Sequence, residues 1–176
     1  MNKIKNYLTH REIETLCDDV LIGQGWIRQT AVVYAPSQKW KPFIPILPDR
    51  IYRKGEDYLV LEIKPGNCST DELRRGLGQM ISYLPYRVKA YLVISEEQWY
   101  QFKALMKYLP WLGVLVYAQT RREIKKLWVA QKMTTHIGTH FFPVTFEDRD
   151  AIKEDIKRRR QFGATHIPYQ DLRTVK

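Results

Sequence analysis

Hydrophobic positions recur at helical spacing first at Ile13, Leu16, Cys17, Val20 and Leu21, and Gly23 and Gly25 end the run, which predicts an amphipathic helix over residues 10–22. From Trp26 to Tyr34 the β-branched and aromatic residues predict a strand, followed by a Pro, Ser, Lys and Trp connection over 35–45. Ile46 to Arg53 and Tyr58 to Lys64 predict two strands of a hairpin joined by Lys54-Gly55-Glu56-Asp57. Pro65 and Gly66 stop the second strand, and Ser69 with Glu72 forms a capping box for a helix reaching about Leu84, before Pro85. The core stripe of that helix is expected to be Leu73, Leu77, Met80, Ile81 and Leu84, leaving Glu72, Arg75, Gly76, Gln79 and Tyr83 on a face free for function.

Further along, Val88 to Ile94 is a near-continuous apolar strand, Glu96 to Tyr108 a helix, and Leu112 to Tyr117 with Ile124 to Ala130 a strand pair. The alternation implies an α/β sandwich, a mixed central sheet with helices on its faces. After Met133 the pattern weakens until Phe146 to Phe162, a helix with Glu147, Asp148 and Asp150 at its start and Arg158, Arg159 and Arg160 at its end, as the helix dipole favours. It reads either as a charged surface helix packed through Ile152 and Ile156 or as an appendage for DNA contact or dimerisation. One domain is expected, with a core over 1–133 and a loop and basic helix over 134–176 attached to it.

Composition narrows the class. At 44% hydrophobic and 27% charged residues the chain is globular, and no apolar run nears the roughly 18 residues of a membrane span. Neither a secretory leader nor a membrane partner is expected, so an intracellular location is. Cys17 and Cys68 lack the spacing of zinc or redox pairs and read as reduced thiols. The net charge of +10 makes nucleic acid the default partner, against the alternative of a merely solubilising surface. In the 35–45 connection, Lys39, Trp40 and Lys41 would suit phosphate contact and base stacking.

Cleaving a phosphodiester requires a divalent cation, and hard cations take carboxylate and carbonyl ligands. The hairpin brings Asp49, at the start of one strand, near Glu62, at the end of the other. Lys64, two residues on, shares the side of Glu62, while Ile63 points the other way. Two further acid-x-Lys runs, Glu123-Ile124-Lys125 and Asp155-Ile156-Lys157, lie in highly charged surroundings and read as surface.

Pro48-Asp49, then Glu62-Ile63-Lys64, then a capped helix resembles the signature of the PD-(D/E)XK nucleases, over about residues 10–118. The resemblance implies a restriction-endonuclease-like core. It implies Mg²⁺ or Mn²⁺ held by Asp49, Glu62 and the carbonyl of Ile63, with Lys64 orienting the attacking water and offsetting charge on the phosphate. Gln79 and Tyr83, one turn apart, are similar to the Gln-x-x-x-Tyr motif of RecB-like nucleases, where such residues support the active site. Gly76 and Gly78 in the same helix point to close approach by a neighbour or to tight packing. Glu14, ahead of Gly25-Trp26, is similar to the metal-binding Glu on the opening helix of archaeal Holliday junction resolvases, with Glu12 as the alternative. The basic and Gly residues that precede that Glu in the family are missing here.

His136 and His140 have a zinc-like spacing, but Gly138 between them argues against an aligning helix. No phosphate-cradling Gly loop is present, so no nucleotide cofactor is expected. The expected function is a metal-dependent DNA endonuclease acting as a homodimer on branched or junction DNA. The alternatives are a RecB-like exonuclease and a non-catalytic DNA-binding module on a nuclease fold.

Overall fold

A computed structural model of the chain describes residues 7–34, 45–83, 88–128, 140–143 and 154. Helix α1 (His10–Gly23) opens on a capping box in which Thr9 accepts from the Glu12 amide and Glu12 reaches back to Thr9. Strands β1 (Ile27–Gln29), β2 (Ala31–Tyr34), β3 (Pro45–Ile46), β4 (Arg50–Lys54) and β5 (Asp57–Ile63) follow. Then come α2 (Thr70–Ser82), β6 (Val88–Ser95), α3 (Glu96–Phe102) continued by a 3-10 turn over Lys103–Tyr108, β7 (Gly113–Ala118), β8 (Glu123–Trp128) and β9 (His140–Pro143).

Six strands form the central sheet in the order β1-β4-β5-β6-β7-β8. The β4/β5 hairpin is antiparallel, β5, β6 and β7 run parallel, and β8 returns antiparallel on β7. Parallel neighbours need crossovers, which α2 and α3 supply. Side chains alternate across the strands, dividing the core in two. Leu59, Leu61, Ile63, Val93 and Tyr117 meet Ile13, Cys17 and Leu21 of α1. Val60, Leu92, Ile94 and Val116 meet Met80 of α2 and Phe102 and Met106 beyond β6. The molecule is therefore an α/β sandwich around a mixed sheet, as the strand and helix periodicities predict.

Several boundaries differ from the sequence reading. The single strand expected over 26–34 is two strands in different sheets, parted at Thr30: β1 pairs with β4, while β2 joins β3 and β9 in a separate three-stranded sheet. The strand expected over 46–53 breaks likewise between β3 and β4. A run of β-branched residues fixes strand propensity but not which partner each half finds. The helix expected over 96–108 tightens into 3-10 geometry after Phe102. β9 was not expected, and it places His140 opposite Tyr34 in a strand, so the zinc-like spacing has no helix under it there. Residues 35–44, with Lys39, Trp40 and Lys41, His136, and the expected 146–162 helix apart from Glu154 lie outside the described residues.

In α2 the capping box Ser69–Glu72 forms as expected, and Met80 is buried with Leu73 and Leu77 packed beside it. The far end of the stripe is corrected. Ile81 is 54% exposed, whereas Tyr83, expected on the free face, is 1% exposed and part of the core. A Tyr ring is as good a core filler as Ile once its hydroxyl finds a polar partner.

Candidate active site

The site forms where β4 begins and β5 ends. Arg50 pairs with Leu61 in the hairpin register, so the next step outward sets Asp49 against Glu62. The Asp49 amide donates to the Leu61 carbonyl at 3.0 Å. The Asp49 carboxylate then accepts from the Ile63 amide at 2.7 Å, taking a place that a strand carbonyl would otherwise fill. Beyond Ile63 the chain stays attached to the sheet: the Lys64 amide donates to Val93 at 2.9 Å.

Glu62 is 2% exposed, and its carboxylate is bracketed by two donors. Lys64 Nζ lies 2.7 Å from one oxygen, and the Tyr83 hydroxyl donates to the other at 3.4 Å. Lys64 Nζ also reaches Gln79 Oε1 at 3.4 Å. Both members of the Gln79/Tyr83 pair therefore turn toward the Glu62–Lys64 pair, Gln79 from an exposed position and Tyr83 from the core. Gly76 is explained as well, because a Cβ there would stand 2.6 Å from Lys64 Cε; Gly78 has nothing within 4 Å and no such constraint.

The helix carboxylates separate cleanly. Glu12 is committed to the cap of α1 and to Arg122 at 3.1 Å, away from the hairpin. Glu14 faces the hairpin, where Arg50 Nη1 approaches it at 2.6 Å and His10 Nδ1 at 3.5 Å. His10 Nε2 lies 3.3 Å from Asp49 Oδ2 and so links the two acids. Sequence reasoning missed both His10 and Arg50. The signal for His10 was its place one turn before Glu14 on the same helix face; a buried Arg at the start of a strand left none.

The electrostatics follow from burial and neighbours. Burial, then the negative charge of Asp49, pushes the Glu62 carboxyl up to about 7 against the pull of Lys64 and Tyr83. Burial would raise Asp49 too, but His10, the Ile63 amide and Lys64 hold it below the usual carboxylate range. The hydrogen bond to Asp49 raises His10, with burial opposing and the charges of Asp49, Glu14 and Glu62 adding to it. Among the described residues, no three His, Cys, Asp or Glu groups are gathered so as to cage an ion. Two hard carboxylates facing each other, one of them driven toward its neutral form by burial and by the charge of the other, are nevertheless a donor set that a divalent cation suits and whose repulsion it would relieve. Glu123 and Lys125, the rival acid-x-Lys run, pair with each other at 3.3 Å on β8, with no link to this cluster.

No family model matches the chain, and no curated protein matches it. Among solved structures, an XisH family protein from Nostoc punctiforme is similar at 16% identity and a TM-score of 0.48, covering 69% of this chain and 98% of its own. An fdxN element excision controlling factor protein from Anabaena variabilis is similar at 17% identity and a TM-score of 0.47, covering 69% of this chain and 97% of its own. Scores and identities this low establish neither a shared fold nor a shared activity.

Two predictions follow from the packing and charge of the cluster. Gly78→Ala should stabilise α2 by roughly 1 kcal/mol without moving the site, whereas Gly76→Ala, with the same gain in propensity, should displace Lys64 from Glu62. Thermal melts together with the ¹⁵N resonance of the Lys64 ammonium would show both, and an undisturbed ammonium in Gly76→Ala would refute the crowding. The second concerns pH. Glu62 ionises near 7 in the folded chain but at its ordinary 4.5 when unfolded, so the stability it contributes is complete below 4.5 and is lost as pH rises through about 7. In EDTA, Glu62→Gln should therefore gain on the wild type by roughly 1 to 3 kcal/mol between about pH 5 and about pH 8. Urea titrations at the two pH values give the difference directly, and a constant difference would mean that Glu62 is not held against ionisation.

Proposed function

We propose that the chain is a metal-dependent deoxyribonuclease of PD-(D/E)XK type, with Asp49, Glu62 and Lys64 as its catalytic residues. The observation that carries this reading is the convergence of the three where β4 begins and β5 ends, with Glu62 buried between Lys64 and Tyr83 and opposite Asp49. Mg²⁺ or Mn²⁺ would be held by Asp49, Glu62 and the Ile63 carbonyl. When bound, the cation polarises the scissile phosphate and lowers the pKa of water. Lys64, fixed by Glu62 and Gln79, places a positive charge where the phosphate gathers negative charge and orients the attacking water. Gln79 and Tyr83 keep Lys64 and Glu62 in place. The net charge of +10 supplies salt-sensitive attraction to DNA.

An endonuclease is the preferred form. The resemblance of Glu14 and Gly25-Trp26 to the junction resolvases supports branched DNA as the substrate, and coordinated cutting of two strands requires two sites, which a homodimer supplies. The RecB-like resemblance of Gln79 and Tyr83 keeps exonuclease action as the second reading. No helix among the described residues is long and apolar enough to cross a membrane; an intracellular site of action is part of the proposal.

Incubation with closed circular and linear DNA, in Mg²⁺ or EDTA, tests the activity. Wild type should nick circles only with metal, and Asp49→Ala, Glu62→Ala and Lys64→Ala should each lose at least about a hundredfold in rate while retaining salt-sensitive DNA binding. Glu123→Ala and Lys125→Ala should stay active. Digestion confined to linear DNA would select the exonuclease, and binding without cleavage by wild type would select the non-catalytic module. For the substrate, four-way DNA should be cut in preference to linear duplex at fixed moderate salt by a protein that sediments as a dimer. Equal cutting by a monomer would leave a general nuclease.

A further inference from the structure

Arg50 has no part in the chemistry above, yet it is the most deeply buried cation around the hairpin, with 9% of its side chain exposed. Its Nη1 donates to Glu14 Oε1 at 2.6 Å and to the backbone carbonyl of Asp49 at 3.0 Å. Its Nε lies 3.4 Å from Asp18 Oδ1. Asp18 in turn accepts from the buried Tyr52 hydroxyl at 2.6 Å and pairs with Arg28 at 3.2 Å, so the guanidinium is held from the α1 side by a second acid that is itself fixed. A buried guanidinium is costly unless acids and acceptors surround it. Here Nη1 makes both hydrogen bonds, and Nε, which makes none, has the Asp18 charge at 3.4 Å, so the rigid planar group fixes the direction in which Nη1 meets its two acceptors. Here one acceptor belongs to α1 and the other is the peptide that carries Asp49.

We propose that Arg50 is a positioning residue for Asp49: by clamping the Asp49 carbonyl to Glu14 of α1 it sets the angle at which the Asp49 carboxylate meets the Ile63 amide and faces Glu62. Glu14 is then the counter-ion of Arg50, and it acts on the site through Arg50 rather than as a metal ligand. Its Oε1 is committed to Arg50 by a 2.6 Å charge-assisted bond, so its negative charge already serves a buried cation whose other acid, Asp18, stands farther off at 3.4 Å. The part concerning metal rests on the nuclease reading; the part concerning Asp49 does not.

Two readouts on the full-length protein test the proposal, neither of them cleavage: hydrogen exchange at the Ile63 amide, followed by NMR, and calorimetric Mn²⁺ titration. Arg50→Met removes the clamp, leaves Glu14 with only His10 at 3.5 Å and can fail to fold; Arg50→Lys keeps the charge and the pairing with Glu14 but replaces the rigid planar group with a freely rotating ammonium. Arg50→Lys should speed Ile63 exchange and weaken Mn²⁺ binding, each about tenfold, while amides in the sheet interior such as Leu92 and Val114 keep wild-type protection. Glu14→Gln, whose amide oxygen still accepts from Arg50, should hold both within about threefold, unlike Glu62→Ala. Wild-type behaviour of Arg50→Lys on both readouts would overturn the clamp. Loss of Mn²⁺ affinity in Glu14→Gln as large as in Glu62→Ala would make Glu14 a ligand and overturn its assignment as counter-ion. If the wild type itself takes up no Mn²⁺, the nuclease reading fails, and the Ile63 exchange rate alone decides whether Arg50 positions Asp49.

Discussion

The hydrogen bond from the Ile63 amide to the Asp49 carboxylate joins the sheet to the site. The β4/β5 ladder runs out at Leu61, and the next amide needing an acceptor finds a side chain instead of a carbonyl. Satisfying that donor holds Asp49 against the end of β5, beside Glu62, and so gathers two acids at a place where hydrogen bonding alone would not require them. That placement buries Glu62 and sets it against a second negative charge, and burial first and repulsion second displace its carboxyl upward.

Basic side chains from three elements surround these acids and their neighbours. Lys64 comes from the end of β5 itself, His10 from the start of α1, and Arg50 from the start of β4. Each is tied to at least one acid, which makes the cluster a network in which moving one member leaves another buried and uncompensated. The bare Cα of Gly76 belongs to the same economy of space, since it lets the Lys64 stem lie against α2. Gln79 and Tyr83 close the arrangement from that helix, one on the ammonium and one on the carboxylate.

The parts of this cluster that were legible in the sequence are those fixed by local spacing. Glu62 and Lys64 share a side because strand side chains alternate, and Asp49 lies beside Glu62 because a short turn leaves little choice of register. The Ser69 capping box fixed where α2 begins, and thereby that Gln79 and Tyr83 fall near the end of β5. Arg50 escaped notice because its partner Glu14 lies 36 residues away and no local pattern marks such a pair; for His10 the spacing to Glu14 was visible, but its contact with Asp49, 39 residues on, was not. Tyr83 was placed on the wrong side for a related reason: an aromatic with a polar tip follows whichever environment offers its hydroxyl a partner.

By itself the sequence determined the succession of helices and strands, the hairpin that carries Asp49 and Glu62, and the cap that starts α2, because each depends on residues only a few positions apart. The tertiary structure alone decided that 26–34 divides between two sheets, that β9 joins the smaller one, that Ile81 is exposed and Tyr83 buried, and that Glu14 pairs with Arg50. Each of those outcomes depends on which distant surface a segment meets, and competing burial, hydrogen bonding and charge settle it only when the whole chain has come together.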